Sequence, residues 1–270
     1  MLNHSAPALH RSAYGRLSSL HRLLRRCATD VSTSAAQRPA LVVAPHPDDE
    51  TLGCGGTIAL KRARETPVTV VALSDGRDSH TDPAWPAERL AAARREEFVR
   101  ACTRLGVERD RVILLDHGGG IDARTAPEIA ARLSSIVRET GPAEVYVPCR
   151  LESHREHAAA WRITNDVLRA FPEIETFEYF IWFWYPRWWR ALGRTLLAPR
   201  EGSRPRLVRV ALGAQQLESK GSALEAHQTQ MTVPPDSVGP WPVLGEIEDG
   251  AFLARCLQGA ELFLATRAGS

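Results

Sequence analysis

Residues 40–56, ALVVAPHPDDETLGCGG, run from five apolar residues into a histidine, two aspartates and a glutamate. A short apolar run without polar alternation reads as a strand buried on both faces, as in a parallel sheet. His46, Asp48, Asp49 and Glu50 then stand at its carboxyl end. Ionisable groups there must be solvated, paired or bound to a metal, because burying them alone is too costly.

Working outward, the same alternation repeats. PVTVVALS (67–74), RVILLD (111–116) and EVYVP (144–148) read as strands. Helices are expected over residues 52–64, 86–105, 125–139 and 155–170, the second opened by Pro86 and closed by Gly106. Strands alternating with helices predict an α/β, Rossmann-like fold: a mainly parallel sheet, helices on both faces, and a site at the carboxyl ends of the strands. That rule gathers PHPDDE, SDGRD, DHGGGID and PCRLESHREH on one rim. Further on, RLVRVAL (206–212) is another strand, residues 214–230 are one helix and residues 250–266 are a last helix. Residues 1–38 read as an N-terminal helical extension and linker, with leucines at helical spacing over 15–28, and residues 39–270 as the main domain.

The bulk properties bound the function. The chain has 270 residues and a net charge of +2, which gives no electrostatic case for a nucleic-acid partner. No stretch is long and apolar enough to span a bilayer, and the N-terminus lacks the apolar core of a secretory signal. Five scattered cysteines without a C-x-x-C pair argue against a disulfide framework and for a reducing, cytoplasmic setting.

The chemistry concentrates in two spacings. His46 and Asp49 lie three apart on a turn, and His154 and His157 lie three apart where a strand meets a helix. Two histidines and one carboxylate with an open position are a recurrent catalytic zinc set. The remaining carboxylate and histidine are what a metal hydrolase needs as a base on water and a donor to a developing oxyanion. A phosphate-cradling loop at GCGG is the rival, but the order G-x-G-x-x-G is missing and the acidic residues before it repel phosphate. Glu50 is expected to orient a ligand rather than to bind metal itself.

PHPDDE followed by TLGCGGTIA, then SDG, RREE ahead of LG, SHREH and KGSALEAHQTQ together resemble the LmbE-like or PIG-L family of zinc-dependent N-acetylglucosaminyl deacetylases. The resemblance runs from about residue 40 to the C-terminal part. It implies His46, Asp49 and His157 as Zn2+ ligands, Asp48 as general base and a protonated His154 as the oxyanion partner. It further implies Arg94 as a sugar contact and Lys220 and His227 as the C-terminal K…H element, with His227 near the substrate. Glu156 stands where the family has an aspartate. DHGGGID leaves open whether Asp116 or Asp122 takes a sugar-binding role. Asp75 and Arg77 are either substrate contacts or a solvated strand end. The expected activity is removal of the N-acetyl group from a GlcNAc-bearing molecule or glycoconjugate. The alternatives are an amide hydrolase for another acyl group and a non-catalytic carbohydrate-binding protein. Trp182, Trp184, Trp188 and Trp189 suit a core, a sugar-stacking lid or a peripheral membrane patch.

Overall fold

The structure, a computed structural model, describes residues 21–182 and 205–267. Eight strands form one sheet in the order β1-β7-β8-β6-β5-β2-β3-β4. These are β1 (Thr29–Asp30), β2 (Ala40–Ala44), β3 (Val68–Ser74), β4 (Val112–His117), β5 (Glu144–Pro148), β6 (Glu175–Tyr179), β7 (Arg206–Ala211) and β8 (Ala260–Arg267). All pairings are parallel except the two made by β8, which runs antiparallel between β6 and β7. The α/β reading with a mainly parallel sheet therefore stands.

The helices are α1 (residues 21–27), α2 (Ser32–Ala35), α3 (Asp49–Arg62), α4 (Ala87–Arg104), α5 (Ala126–Thr140), α6 (Arg155–Leu168), α7 (Ala214–Ala226), α8 (Gln228–Met231) and α9 (Ala251–Cys256). Every residue of β2, β3 and β5 is buried, as runs covered on both faces must be. Their side chains alternate between two cores. Val42, Val70 and Ala72 meet Leu52, Ile58, Phe98 and Leu224 of α3, α4 and α7. Leu41, Val43, Val71 and Val145 meet Ile129, Leu133 and Ile163 of α5 and α6.

The chain leaves β2 toward β3 on one side, and its neighbour on the other side is β5. The strand order reverses between β2 and β5, and the loops there diverge to leave a crevice.

Two expectations are corrected. The final stretch is not a helix over 250–266. Only α9 is helical, and after Gly259 the segment AELFLATR becomes β8. Leu262, Phe263, Leu264 and Ala265 are consecutive and all buried, a pattern that fits a strand sandwiched between two layers. The helix expected over 214–230 breaks at His227 (φ −81°, ψ 60°) into α7 and α8.

Residues 21–38 pack on this body. β1 pairs with β7, Leu24 packs with Ala28 and Leu262, and Ala35 and Ala36 are buried. The Lys61 ammonium donates to the carbonyls of Ala35 (2.5 Å) and Arg38 (2.8 Å) and to Glu144 Oε2 (2.6 Å).

The GCGG run answers to packing. α3 is broken at Cys54 (φ −146°, ψ 21°), and the backbone N–H groups of Gly56 and Thr57 donate to the Glu261 carboxylate, each at 2.8 Å. The anion that meets this loop is thus a side chain of β8. At Gly53 a Cβ would lie 2.3 Å from Tyr179 Cδ2, and the Tyr179 hydroxyl is fixed on the carbonyl of Val43 (2.8 Å). Gly53→Ala should therefore cost about 1–3 kcal/mol. In thermal denaturation that is a midpoint lowered by ~2–10 °C; an unchanged midpoint would show that α3 is not so closely seated.

Candidate metal centre and active-site cavity

The crevice at the strand reversal decides which side chains meet. The loop after β2 carries His46, and Asp49 is the first residue of α3. The loop after β5 carries His154, and His157 lies in the first turn of α6. The rings converge, with centroids 5.0 Å apart for His46 and His154, 5.4 Å for His46 and His157, and 4.9 Å for His154 and His157.

Asp49 Oδ2 is the common point. It accepts from the His46 backbone N–H (2.9 Å), lies 3.0 Å from His46 Nδ1 and 3.3 Å from His157 Nε2. His157 is fully buried, and neither ring nitrogen makes an aligned hydrogen bond. Its Nδ1 is 3.7 Å from Glu152 Oε2. Burial alone lowers the proton affinity of His157, but Asp49 and Glu152 outweigh it and push the pKa up to about 10. Asp49 is held well below the carboxylate range despite its burial, chiefly by His157 and then His46. Buried carboxylates that favour a positive charge this strongly, beside histidine nitrogens without hydrogen-bond partners, suit a divalent cation. The donor types are those of zinc. Among the described residues, His46, His154 and His157 each offer a ring nitrogen within 4.8 Å of the others, a group that could hold a metal ion, and Asp49 Oδ2 adjoins two of them.

Asp48 has φ +140°, a sparsely populated conformation that costs about 1–3 kcal/mol. Its surroundings hold it there. The Asp48 carbonyl accepts from Thr51 (3.0 Å) and Leu52 (2.9 Å), and its N–H donates to Glu50 Oε2 (3.0 Å). The buried Arg94 guanidinium donates to Asp48 Oδ2 (3.0 Å), to the carbonyl of Gly76 (3.2 Å) and to that of Pro47. Burial pushes the Asp48 carboxyl up to about 6, against the pull of Arg94. His154 is exposed at the mouth, and partial burial with the neighbouring His157 and His46 holds its pKa below the ordinary value. That favours a neutral imidazole over the imidazolium expected from the sequence.

A cavity of about 790 Å³ opens over these groups. Its lining includes His46, Asp48, Asp49, Asp75, Arg94 and His154, while His157 lies buried beside Asp49. Asp75 is gripped by Arg77, Nε at 2.8 Å and a terminal nitrogen at 2.6 Å. Two expected substrate contacts are elsewhere. His227 is fully buried behind the site, its Nε2 3.1 Å from Glu50 Oε1. Asp116 points outward and pairs with Arg95 at 2.8 Å, whereas Asp122 lines the cavity. Glu50, expected to orient a metal ligand, instead accepts from the Asp48 backbone N–H (3.0 Å) and the Thr51 hydroxyl (2.5 Å). Sequence reading missed Glu152, the contact of Glu156 with His46, and Val243, Leu244 and Ile247, which join Trp182 in an apolar wall. Only Glu156 carried a signal, its place between the two histidines. Trp182 stacks on Phe252, centroids 5.0 Å apart. Trp184, Trp188 and Trp189 lie outside the described residues.

Residues 41–168 match the family model described as PIG-L: GlcNAc-PI de-N-acetylase. This stretch is a PIG-L/LmbE-like family domain. It holds the H-P-D-D-E element and both later histidines. A 1D-myo-inositol 2-acetamido-2-deoxy-alpha-D-glucopyranoside deacetylase of Nocardia farcinica is 29% identical over 249 residues, covering 75% of this chain and 83% of that protein. The N,N'-diacetylchitobiose deacetylase of Pyrococcus horikoshii superposes with a TM-score of 0.62 at 20% identity, covering 98% of this chain and 96% of that one. A deacetylase of the teicoplanin biosynthetic pathway, a triple mutant, gives 0.61 at 17% identity, covering 86% and 99%. These two likenesses show the fold. No helix among the described residues is long and apolar enough to cross a membrane.

Metal binding by the PIG-L domain can be tested directly. Equilibrium dialysis against zinc should load about one ion per chain. Asp49→Ala and His157→Ala should each weaken binding by at least ~100-fold; undiminished binding in either would remove that residue from the ligand set.

Proposed function

We propose that this chain is a zinc-dependent N-deacetylase that releases acetate from a GlcNAc-bearing molecule and leaves an amino sugar. The observation that carries this reading is the cluster around Asp49 Oδ2, with Asp48 on a strained turn beside it and His154 at the mouth. The PIG-L domain and its deacetylase relatives support the same reaction class.

His46, Asp49 and His157 would hold the ion, which would supply Lewis acidity toward the amide carbonyl and ease ionisation of water near neutral pH. Asp48 takes the proton of the attacking water. A carboxyl pushed up to about 6 is a stronger base than an ordinary aspartate and is still largely ionised at pH 7. Arg94 fixes its direction; the Asp48, Pro47 and Gly76 acceptors engage the guanidinium inside the protein, so we assign it to Asp48 rather than to the sugar. His154 donates a ring N–H to the oxyanion, for which a neutral imidazole suffices. Asp48 then returns the proton to the leaving amine. Asp75 and Asp122 are the carboxylates placed to meet sugar hydroxyls.

A cavity of about 790 Å³ has room for more than one sugar ring. Its apolar wall favours a second reading, hydrolysis of a bulkier acyl group from an amino sugar. The five free cysteines agree with a reducing cytoplasm.

The deciding assay is acetate release from a panel of GlcNAc conjugates and their longer N-acyl analogues, on metal-stripped protein with and without zinc. Zinc-dependent release of acetate is expected. Release of only longer acids would establish the second reading, and no release by zinc-loaded protein would overturn both. Asp48→Asn should lower kcat by about 10²–10⁴-fold with zinc retained, and His154→Ala by about 10²-fold; full activity in either would remove its assigned role.

A further inference from the structure

We propose that Glu156 is the positioning residue that aims His46 at the metal centre and ties the loop of residues 118–122 to it. This rests on the metal reading above and adds a residue whose reach the ligand set does not explain.

The first observation is the division of the His46 ring. Its Nδ1 shares Asp49 Oδ2 with His157 Nε2, at 3.0 and 3.3 Å, so Nδ1 is the nitrogen facing the centre. Nε2 points the other way and meets Glu156 Oε2 in a close contact. An imidazole that binds a cation through Nδ1 must carry its proton on Nε2. A carboxylate accepting that proton fixes the tautomer, stops the ring from turning, and raises the basicity of the metal-facing nitrogen. The carboxylate serves His46 and not His154, although His154 is nearer in sequence.

The second observation is the other oxygen. Glu156 Oε1 accepts the backbone N–H of Ile121 at 2.9 Å. Ile121 is itself buried, so this bond anchors the loop that contributes Gly119, Gly120 and Asp122 to the cavity wall. One side chain therefore joins the metal histidine to a wall that faces substrate.

The third observation is that the backbone makes room for it. A Cβ at Gly120 would fall 2.2 Å from Glu156 Oε1, and Gly120 sits at φ +92°, which disfavours any side chain. The glycine run after β4 lets the glutamate through. An aspartate at 156, one methylene shorter, would reach one of the two partners and not both.

The test is a zinc competition titration against a chromophoric chelator, made on the full chain. Glu156→Ala should weaken zinc binding about 10–100-fold and, by leaving the Ile121 N–H without its acceptor, lower the thermal midpoint of the metal-free protein by about 2–10 °C. Glu156→Gln should keep the loop and lose less. Gly120→Ala should weaken binding in an otherwise unchanged chain, by displacing the carboxylate, but add nothing in the Glu156→Ala background. In the zinc-loaded wild type, nitrogen-15 NMR should find a slowly exchanging Nε2 proton on His46, lost in Glu156→Ala. Zinc affinity unchanged in Glu156→Ala would overturn this assignment alone. Full additivity of the Gly120→Ala loss would do the same, since the loop would then act without the glutamate. A wild-type chain that binds no zinc would overturn it together with the metal reading. If Glu156→Ala does not fold, Gly120→Ala and Glu156→Gln with the His46 NMR signal decide the question.

Discussion

One carboxylate oxygen, Asp49 Oδ2, holds together two loops that are far apart in the chain. It meets His46 from the end of β2 and His157 from the start of α6, at the floor of the cavity, where Asp49 and His157 are buried. Bringing these groups to one buried point without a counter-charge is unfavourable, because each would lose its hydration unpaired. The sheet makes the meeting possible. β2 and β5 are neighbours whose connections leave in opposite directions, so the loops after them face each other across a crevice.

Behind that point, pairs of buried polar groups hold the strained turn. Asp48 keeps its positive φ because Glu50 accepts its N–H, and Glu50 is steadied by His227. The break in α3 at Cys54 leaves backbone donors that Glu261 accepts, and Glu261 is neutralised by Lys220 at 2.7 Å, whose ammonium also donates to the carbonyl of Leu52. Removing any one partner would leave a charge buried without compensation, which costs more than the pair itself contributes. Lys220 and His227 thus act from the far side of α3 rather than from the cavity.

This explains what could be read from the chain. β2, β3 and β5 were legible because a strand covered on both faces must be apolar throughout, and no other role accounts for ALVVA or VTVVALS. His46, Asp49, His154 and His157 were legible because turns and helix starts place residues three apart on one side. β8 was not, because in AFLARCLQGAELFLATR apolar residues recur at helical and at strand spacing alike, and only its neighbours β6 and β7 select the strand. The reach of Glu156 was hidden because a charged residue between two histidines gives no direction; which acceptor or donor it finds depends on where the loop after β4 lies. His227 was misplaced for a related reason: a break in a helix is not visible in a run as helix-favouring as LESKGSALEA.

The cavity walls away from Asp49 are the part least legible in the sequence. One wall of the cavity is made by residues 76–80 and another by residues 242–247, and the two are locked together at a distance from the chemistry. Asp82 accepts from the N–H groups of Val238 (3.0 Å) and Gly239 (2.8 Å) and from the Ser237 hydroxyl (2.8 Å). His80 stacks on Trp241, and the Trp241 indole donates to the carbonyl of Thr229 at 2.8 Å. The shape of these walls rests on backbone donors and a few polar anchors rather than on a repeating sequence pattern. The groups proposed for the reaction thus stand at strand ends, where physical constraint leaves few choices, while the surrounding walls are loops whose pairing only the folded chain reveals.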